Sequence, residues 1–294
     1  MPHRGYDVLR AIAVCVTFCV AFWAMSASAQ PATASETQPL RIGDTFTLES
    51  KTLGETRRIN VYLPAGDAER PQVRVPVLYM PDGGLAEDFL HVAGLMQVSM
   101  ANGTMRPFLL VGIENTQRRR DLTPPSERPE DRRIAPAIGG AAAFRTFLRD
   151  ELMPEIARRY RTTDESAIVG ESLAGLFVVE TFVREPSLFD HYIAIDPSLW
   201  WDGRRLIEEA PAAARRNASM SGSLWLAHGG TESNARETSD FFAALTAADP
   251  APAAGKTLRI VLDPLPDESH ATIYHPAALR AFRALFAPAP APEK

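Results

Sequence analysis

Ser172 lies in a segment whose residue types suit nucleophilic catalysis. The segment Gly170-Glu171-Ser172-Leu173-Ala174-Gly175 follows a short apolar run, and a helical pattern begins at Leu173. A serine on a tight strand-to-helix turn exposes its hydroxyl, while the free amides of the helix start face the reaction centre. Gly170 and Ala174 are small enough for such a turn, although the usual G-x-S-x-G pattern has glycine where Ala174 stands. A serine that merely caps a helix is the alternative interpretation.

A serine nucleophile needs a general base within reach of its hydroxyl, and His270 is the candidate. The apolar stretch 258–262 is typical of a final strand, and His270 lies in the loop that follows it. Enzymes with a serine on this kind of turn carry the base after the last strand. His228 is the nearest rival because it also follows a strand. His275 precedes Pro276, and we expect it to have a structural or capping role.

The acid that orients the histidine should lie between the serine and the histidine in the chain. The apolar run 224–227 is the expected penultimate strand, and Glu232 lies in the segment that follows it. Glu232 is therefore the predicted acid. Asp267 and Glu268 remain alternatives because they are close to His270 in sequence.

Strand-like and helix-like segments alternate along the chain between residues 58 and 286. Residues 58–63 alternate polar and apolar side chains, as a half-buried antiparallel strand does. Continuous apolar runs, which suit central parallel strands, occupy 75–80, 108–113, 167–169, 192–195, 224–227 and 258–262. Helical periodicity occupies 141–160 with a bend at Pro154, 173–184, 204–215, 239–248 and 276–286. This alternation predicts an α/β protein with a mainly parallel, doubly wound sheet flanked by helices.

The first 29 residues have the pattern of a secretory signal peptide. Arg4 and Arg10 accompany the uncharged apolar run 11–25, and Ala27-Ser28-Ala29 forms an A-x-A cleavage site. The apolar run is shorter than the roughly 20 residues that a membrane span needs. We therefore expect cleavage near Ala29 and export to the periplasm or the medium. A retained N-terminal anchor is the alternative.

The amino-acid composition disfavours several other classes of function. Cys15 and Cys19 both lie in the signal segment, so the mature chain lacks disulfides, thiolate metal sites and a cysteine nucleophile. A formal net charge of −5 without a basic stripe disfavours nucleic-acid binding. No metalloprotease, P-loop or dinucleotide-binding motif occurs, and we expect no metal and no cofactor. The expected organisation is a signal peptide (1–29), a flexible lead-in (30–39), one α/β domain (40–286) and a disordered tail (287–294).

Two groups of residues are candidates for substrate contact. Arg118, Arg119 and Arg120 follow an apolar strand at the carboxyl edge of the expected sheet, where ligands bind. They could hold an anionic group or stack on an aromatic ring. Alternatively, they form a solvated loop paired with Asp121, Glu127 or Asp131. Trp200 and Trp201 follow another strand end and could form an aromatic wall of the pocket or pack against a lid.

Five segments together resemble the esterase family of the esterase D and antigen-85 type, which has the α/β-hydrolase fold. Within it, the chain is similar to the enterobactin-esterase-like siderophore hydrolases. The segments are PVLYMPDGG (76–84), LLVGIENTQRRRDLTPP (109–125), GGAAAFRTFLRDELMPEIARRY (139–160), VGESLAGLF (169–177) and DPSLWWD (196–202). The likeness covers residues 40–286. It implies a serine esterase that works without a cofactor.

The resemblance also implies details of the site and of the substrate. By position, the backbone amides of Gly84 and Leu173 would form the oxyanion hole. Some members of this branch are Ser–His dyads, so an acid such as Glu232 is not obligatory. The implied partner is a small-molecule ester, either a siderophore-type lactone or a simple acyl ester. An antigen-85-type acyltransferase and a noncatalytic exported binding protein are the alternative functions. We expect no stable membrane partner unless the N-terminal segment is retained, and no particular oligomer is indicated.

Overall fold

The computed structural model of the protein describes residues 37–64, 73–230, 233–248 and 257–289. The chain divides after Arg41 into two units, and the second contains all the helices and strands described here. The expected signal segment and lead-in up to residue 36 lie outside the described residues, as does the end of the expected tail. Within the described ranges, no helix has both the length and the hydropathy that crossing a membrane requires.

A twisted eight-stranded sheet in the order β1-β2-β4-β3-β5-β6-β7-β8 forms the centre of the described fold. β1 and β2 pair antiparallel, β2 pairs antiparallel with β4, and the remaining neighbours are parallel. The strands are β1 (Asp44–Ser50), β2 (Glu55–Tyr62), β3 (Val75–Pro81), β4 (Leu109–Ile113), β5 (Thr162–Glu171), β6 (His191–Ile195), β7 (Gly222–His228) and β8 (Leu258–Pro264). The mainly parallel sheet and the antiparallel strand at 58–63 are thus confirmed.

Helices connect the parallel strands and cover both faces of the sheet. They are α1 (Phe89–Ala101), α2 (Arg118–Asp121), α3 (Pro129–Ile134), α4 (Ala141–Phe147), α5 (Met153–Arg159), α6 (Leu173–Arg184), α7 (Trp201–Asn217), α8 (Ala235–Ala247) and α9 (Tyr274–Leu285). Asp202, Gly203 and Arg204 have positive φ angles inside α7, so the regular helix starts after Arg204. The helices at 173–184, 204–215, 239–248 and 276–286 were therefore predicted correctly, apart from their ends.

The predicted single helix at 141–160 is divided by a π-helical turn. That turn, Leu148–Leu152, joins α4 to α5 immediately before Pro154. Proline has no amide hydrogen to donate to the preceding turn, so the regular hydrogen-bond ladder cannot continue through it. The predicted irregularity is present, but it takes the form of a wider turn in front of the proline.

Each face of the sheet carries its own hydrophobic core, because successive strand residues point to opposite faces. On β3, Val77 and Tyr79 join the core covered by α4, α6 and α7, while Leu78 and Met80 join the core covered by α1 and α9. A strand buried on both faces reads as a continuous apolar run. Hence the central strands were recognisable, whereas β1, with a half-exposed DTFTLES pattern, was not.

A buried ionic cluster fixes the antiparallel edge of the sheet to α2. The side chain of Arg57, on β2, is 0% exposed and forms an ion pair with the buried carboxylate of Asp121. Its guanidinium also contacts Glu55 at 2.6 Å and lies 5.3 Å from the centre of the Phe144 ring. Arg120 joins the cluster through Asp121 at 2.6 Å and Glu55 at 2.8 Å. The segment after β4 is therefore held in place by charges that have partners away from water.

Replacing Arg57 with alanine is expected to lower the free energy of unfolding by roughly 3–5 kcal/mol, because Asp121 would remain buried without its main partner. The neighbouring Arg58 provides a matched control, since its side chain is 52% exposed and lies 3.7 Å from Glu114. Arg58→Ala should cost at most about 1 kcal/mol. Denaturant unfolding of the two variants measures both values. Equal losses would contradict a special role for the buried cluster.

Candidate active site

Ser172 lies on the turn between β5 and α6, where the sequence predicted it. Its φ of 59° and ψ of −117° are unusual for a residue other than glycine. The turn is tight because a Cβ atom at Gly170 would come within 2.6–2.7 Å of Ala174. The methyl group of Ala174 therefore fits only because Gly170 has no side chain. The Ser172 amide donates to the carbonyl of Ile195 at 3.0 Å, which ties the turn to the end of β6.

His270 lies in the loop after β8 and contacts Ser172. The distance between His270 Nε2 and Ser172 Oγ is 3.1 Å, which is within the range for proton transfer. The hydroxyl of Ser198 also lies 3.4 Å from Ser172 Oγ. His228, the rival base, is engaged elsewhere, since its Nδ1 contacts the Gly229 carbonyl and its Nε2 contacts a serine of α8.

Asp196 is the carboxylate that contacts His270 at Nδ1, where Glu232 was expected. Asp196 Oδ2 lies 2.5 Å from His270 Nδ1, and the Asp196 side chain is 0% exposed. The predicted acid, Glu232, lies outside the described residues, and the position it was expected to occupy at Nδ1 is filled. Asp196 directly follows β6, the strand next to β5, so it reaches the histidine from a neighbouring strand end. The Ser–acid–His order of the chain is retained.

The loop after β7 contributes to the site in a different way from the one predicted. Its backbone amides at Gly229 and Asn234 donate to the Asp196 carboxylate at 3.3 and 3.1 Å. The side-chain amide of Asn234 also donates to the Asp196 carbonyl at 2.7 Å. A buried carboxylate needs such donors because it has lost its contact with water. The segment expected to supply the acid thus supplies the hydrogen bonds that hold it.

The environment of His270 favours the protonated imidazole. The hydrogen bond that His270 donates to Asp196 raises the pKa of His270, partial burial opposes this effect, and the negative charge of Glu171 adds to the increase. A base must be unprotonated to accept the serine proton. The fraction of protein with His270 ready to act as a base therefore rises with pH.

The two amides expected to bind an oxyanion differ in their surroundings. Leu173 is the first residue of α6, so its N–H has no preceding helical turn to bind. The Gly84 amide instead donates to Glu87 Oε2 at 2.7 Å, and Glu87 is held by the Asn115 side chain at 2.9 Å. An acidic side chain three residues later therefore occupies the Gly84 N–H in this structure, and the role of this amide as an oxyanion donor stays a prediction.

The three consecutive arginines have separate roles. Arg118 forms two hydrogen bonds of 2.7 Å with Asp82 and lies close enough to Glu171 and His270 to affect their charges. Arg119 is exposed and donates to the carbonyl of Ile134, the last residue of α3. Arg120 binds Glu55 and Asp121, as the alternative of a paired loop expected, and its contact with substrate stays a prediction. All three line a cavity of about 310 Å³ next to residues 135–137.

The two tryptophans are not equivalent. Trp201 is 2% exposed, and its indole N–H donates to the Pro124 carbonyl at 3.1 Å. Trp201 packs in the core and also lines a partly open cavity of about 270 Å³, so its role as an aromatic wall of the substrate pocket stays a prediction. Trp200 is partly buried against the same core, 5.9 Å from the Trp201 ring. A contact between Trp200 and substrate stays a prediction.

A second Ser–His–acid group lies near the amino ends of the central strands, opposite the end at which Ser172 lies. Ser223 Oγ is 2.8 Å from His191 Nδ1, and His191 Nε2 is 3.1 Å from Glu165. Hydrogen bonds from His191 and from Arg106 lower the pKa of Glu165 to about 2, against the effect of its burial. Ser223 is buried in the regular backbone of β7. This group ties together the amino ends of three strands and leaves no hydroxyl open to a substrate.

Sequence reasoning missed Asp196, Ser198 and Glu171 as members of the site. Asp196 and Ser198 belong to the DPSLWWD segment, and a carboxylate directly after a buried strand is the signal that could have identified Asp196. Glu171 lies beside the nucleophile, and its Oε1 is 3.4 Å from His270 Nε2. Among the described residues, no group of three or more His, Cys, Asp or Glu side chains is arranged to hold a metal ion.

The sequence and the fold both match known proteins. The model of the Esterase family, described as "Putative esterase", matches residues 50–257. The ferri-bacillibactin esterase BesA of Bacillus subtilis is 31% identical over 163 residues, which are 50% of this chain and 56% of that protein. The siderophore triacetylfusarinine C esterase of Aspergillus fumigatus is 30% identical over 194 residues, 59% of this chain and 62% of that protein. The chain therefore spans less than two thirds of either relative.

Solved structures confirm the α/β-hydrolase fold. An IroE-like serine hydrolase from Shewanella oneidensis superimposes with a TM-score of 0.73 at 27% identity, over 83% of this chain and 80% of that one. The BES protein from Bacillus cereus gives a TM-score of 0.74 at 20% identity, over 87% of this chain and all of the other. At that lower identity the likeness shows the fold alone.

Replacing Asp196 with asparagine should lower the pKa of His270, because a neutral amide stabilises the imidazolium less than a carboxylate does. An NMR titration of the His270 ring protons in both proteins measures the change. Asp240→Asn is the control, since Asp240 pairs with Arg204 at the surface and should leave the titration unchanged. An unaltered His270 titration in Asp196→Asn would contradict the assignment of the acid.

Proposed function

Because the chain belongs to the Esterase family, we propose that it is a serine hydrolase of carboxylic esters. The observation that carries the proposal is the continuous set of contacts from Ser172 Oγ through His270 to Asp196, with distances of 3.1 and 2.5 Å. Ser172 also has the strained backbone expected of an exposed nucleophile. These features together suit acyl transfer from an ester to the serine.

The residues act in two half-reactions. Ser172 Oγ attacks the ester carbonyl while its proton moves to His270 Nε2, and the same proton then passes to the departing alcohol. Water subsequently gives its proton to His270 and attacks the acyl-enzyme, which releases the acid and restores Ser172. Asp196 keeps the Nδ1 proton in place and stabilises the transient imidazolium without accepting a proton itself. The Leu173 amide is positioned to stabilise the oxyanion.

We further propose siderophore esters as the substrate class. Curated relatives from a bacterium and two fungi are named as ferri-bacillibactin, enterobactin and triacetylfusarinine C esterases. What these names share is hydrolysis of an ester in an iron-binding molecule, although the molecules differ. Support for the substrate class therefore comes from the relatives, while support for the reaction comes from the geometry.

Ser172→Ala should lower kcat for p-nitrophenyl acetate by roughly 10⁴- to 10⁶-fold, because the serine, the histidine and the acid act as a unit. Ser223→Ala is the matched control, since it removes a serine that also contacts a histidine paired with a glutamate. Its activity should stay within about twofold of the unmodified protein, since surface access and backbone strain are absent at that site. Equal activity of Ser172→Ala and the unmodified protein would reject the proposed nucleophile.

The substrate class is tested by comparing kcat/KM for enterobactin, triacetylfusarinine C, ethyl ferulate and p-nitrophenyl acetate. If the protein acts on siderophores, at least one siderophore ester should exceed ethyl ferulate by about tenfold or more, since discrimination depends on contacts made in the transition state. A preference for ethyl ferulate over both siderophores would contradict the substrate class. It would leave the serine esterase mechanism intact.

We also propose that the protein is exported, with cleavage near Ala29. The support is the basic start, the apolar run and the A-x-A pattern of the sequence. Expression of the full chain in a Gram-negative host, followed by fractionation and N-terminal sequencing, should give a periplasmic or secreted protein that begins at Gln30. Bulky replacements of Ala27 and Ala29 should block cleavage. An uncleaved, membrane-associated chain would favour a retained anchor.

A further inference from the structure

Glu171 is the last residue of β5 and directly precedes the nucleophile. Its side chain is 16% exposed and points toward the histidine, where Oε1 lies 3.4 Å from His270 Nε2. This nitrogen is the same one that lies 3.1 Å from Ser172 Oγ. The imidazole of His270 therefore has a carboxylate at each of its nitrogens, Asp196 at Nδ1 and Glu171 at Nε2.

We propose that Glu171 is a positioning residue that acts on His270 from the Nε2 side and sets the pH at which the base becomes available to Ser172. This inference rests on the proposed esterase function for its catalytic consequence. The structural part, a carboxylate that stabilises the protonated imidazole, concerns only Glu171 and His270.

Protonation of the imidazole ring adds a hydrogen-bond donor on the side of Glu171. Neutral histidine has one N–H, and Asp196 binds it at Nδ1; protonated histidine has a second N–H at Nε2. Glu171 is close enough to accept that second hydrogen bond, so it stabilises the charged form selectively. When Nε2 is protonated before the substrate arrives, it cannot accept the proton of Ser172. In the pH range where Glu171 is ionised and Nε2 is still protonated, Glu171 therefore favours an inactive resting state.

The charged groups around this pair come from several parts of the fold. Arg118 of α2 faces Glu171 and is itself paired with Asp82, which follows β3. Burial alone would lower the pKa of Arg118, but its hydrogen bonds to Asp82 raise it, so this arginine remains charged. Asp88, which precedes α1, adds a further negative charge near Glu171.

Asp196 and Tyr274 complete the surroundings of Glu171. The charge of Asp196 opposes ionisation of Glu171. Tyr274, at the start of α9, has a buried hydroxyl whose pKa burial raises well above the ordinary value, so it stays neutral. The histidine is thus the group near Glu171 whose charge changes around neutral pH, and it changes together with Glu171.

Burial raises the pKa of Glu171 to about 7, while the positive charges of His270 and Arg118 limit the increase. Glu171 and His270 consequently exchange protons with solvent in the same pH range and titrate as a pair. Below that range both are protonated, and the base is blocked. Above it, His270 is neutral and Glu171 is ionised. Glu171 can then stabilise the imidazolium that forms when the proton leaves Ser172.

The proton balance of the reaction is unchanged by this role. One proton moves from Ser172 Oγ to His270 Nε2 as the oxygen–carbonyl bond forms, and it leaves with the alcohol as the ester bond breaks. Glu171 accepts a hydrogen bond during this interval but no proton. Its effect should therefore be seen in the pH dependence of the rate and in the titration of the histidine.

Two measurements on the full-length protein test the proposal. The first is the NMR titration of the His270 ring in a Ser172→Ala background, with Glu171 retained or replaced by glutamine. The second is the pH profile of kcat/KM for p-nitrophenyl acetate in the same pair with Ser172 present. Glu208→Gln is the matched control because Glu208 is exposed on α7 and is not among the main groups that shift the pKa of His270.

In Glu171→Gln, the His270 titration and the acid limb of the profile should both move to lower pH. The difference should be largest near pH 7, where Glu171 ionises in the unmodified protein and the rate relative to its plateau should increase by up to about threefold, and it should fade at lower pH, where Glu171 is itself protonated. Glu171→Met, which removes the charge without leaving an amide at Nε2, should shift both curves in the same direction. Glu208→Gln should shift neither.

Unchanged titration and pH profile in both Glu171 variants would overturn the proposal, as would an equal shift in Glu208→Gln. The proposed function fails separately, if the unmodified protein hydrolyses no ester. In that case the NMR titration still decides whether Glu171 stabilises the protonated histidine.

Discussion

The hydrogen bond between His270 Nδ1 and Asp196 is the interaction on which the site depends. Asp196 is completely buried, so its carboxylate must be bound by donors that the fold supplies. Those donors come from the loops after β7 and β8, through the Gly229 and Asn234 amides and the His270 ring. One carboxylate thus holds three consecutive strand ends in a fixed relation, and the histidine reaches the serine as a consequence.

The carboxyl ends of β3, β5 and β6 share a second feature. Each is followed by a non-glycine residue with positive φ: Asp82 at 59°, Ser172 at 59° and Asp196 at 43°. Such conformations persist only where the surroundings enforce them. Here the sheet ladder continues past the strand ends, because the Ser172 amide binds Ile195 and the Asp196 amide binds Ala227. Three of the five described non-glycine residues with positive φ therefore lie at the strand ends where the proposed chemistry takes place.

The two serine–histidine–carboxylate groups show that proximity alone does not make a nucleophile. Ser223 and Ser172 both lie within about 3 Å of an imidazole nitrogen. Ser172 lies on a strained turn in front of a helix whose first amides are free, whereas Ser223 lies in a regular strand and is buried. The two serines differ because they lie at opposite ends of the strands. Ser172 follows the carboxyl end of β5, where helix N-termini begin in this fold, whereas Ser223 lies at the amino end of β7. Charge tuning by Glu171 and Arg118 is likewise confined to the carboxyl ends.

The sequence by itself determined the sheet, the position of Ser172 and the loop that carries His270, because these depend on local patterns: apolar runs, a small-residue turn and the order of elements. Only the tertiary structure decided which carboxylate reaches the histidine and whether the Gly84 amide is free. Asp196 meets His270 across 74 residues, and Glu87 reaches back to Gly84 because Asn115, from another strand end, holds it there. These contacts depend on how loops from separate strands meet at one edge, and short-range sequence patterns do not contain that information.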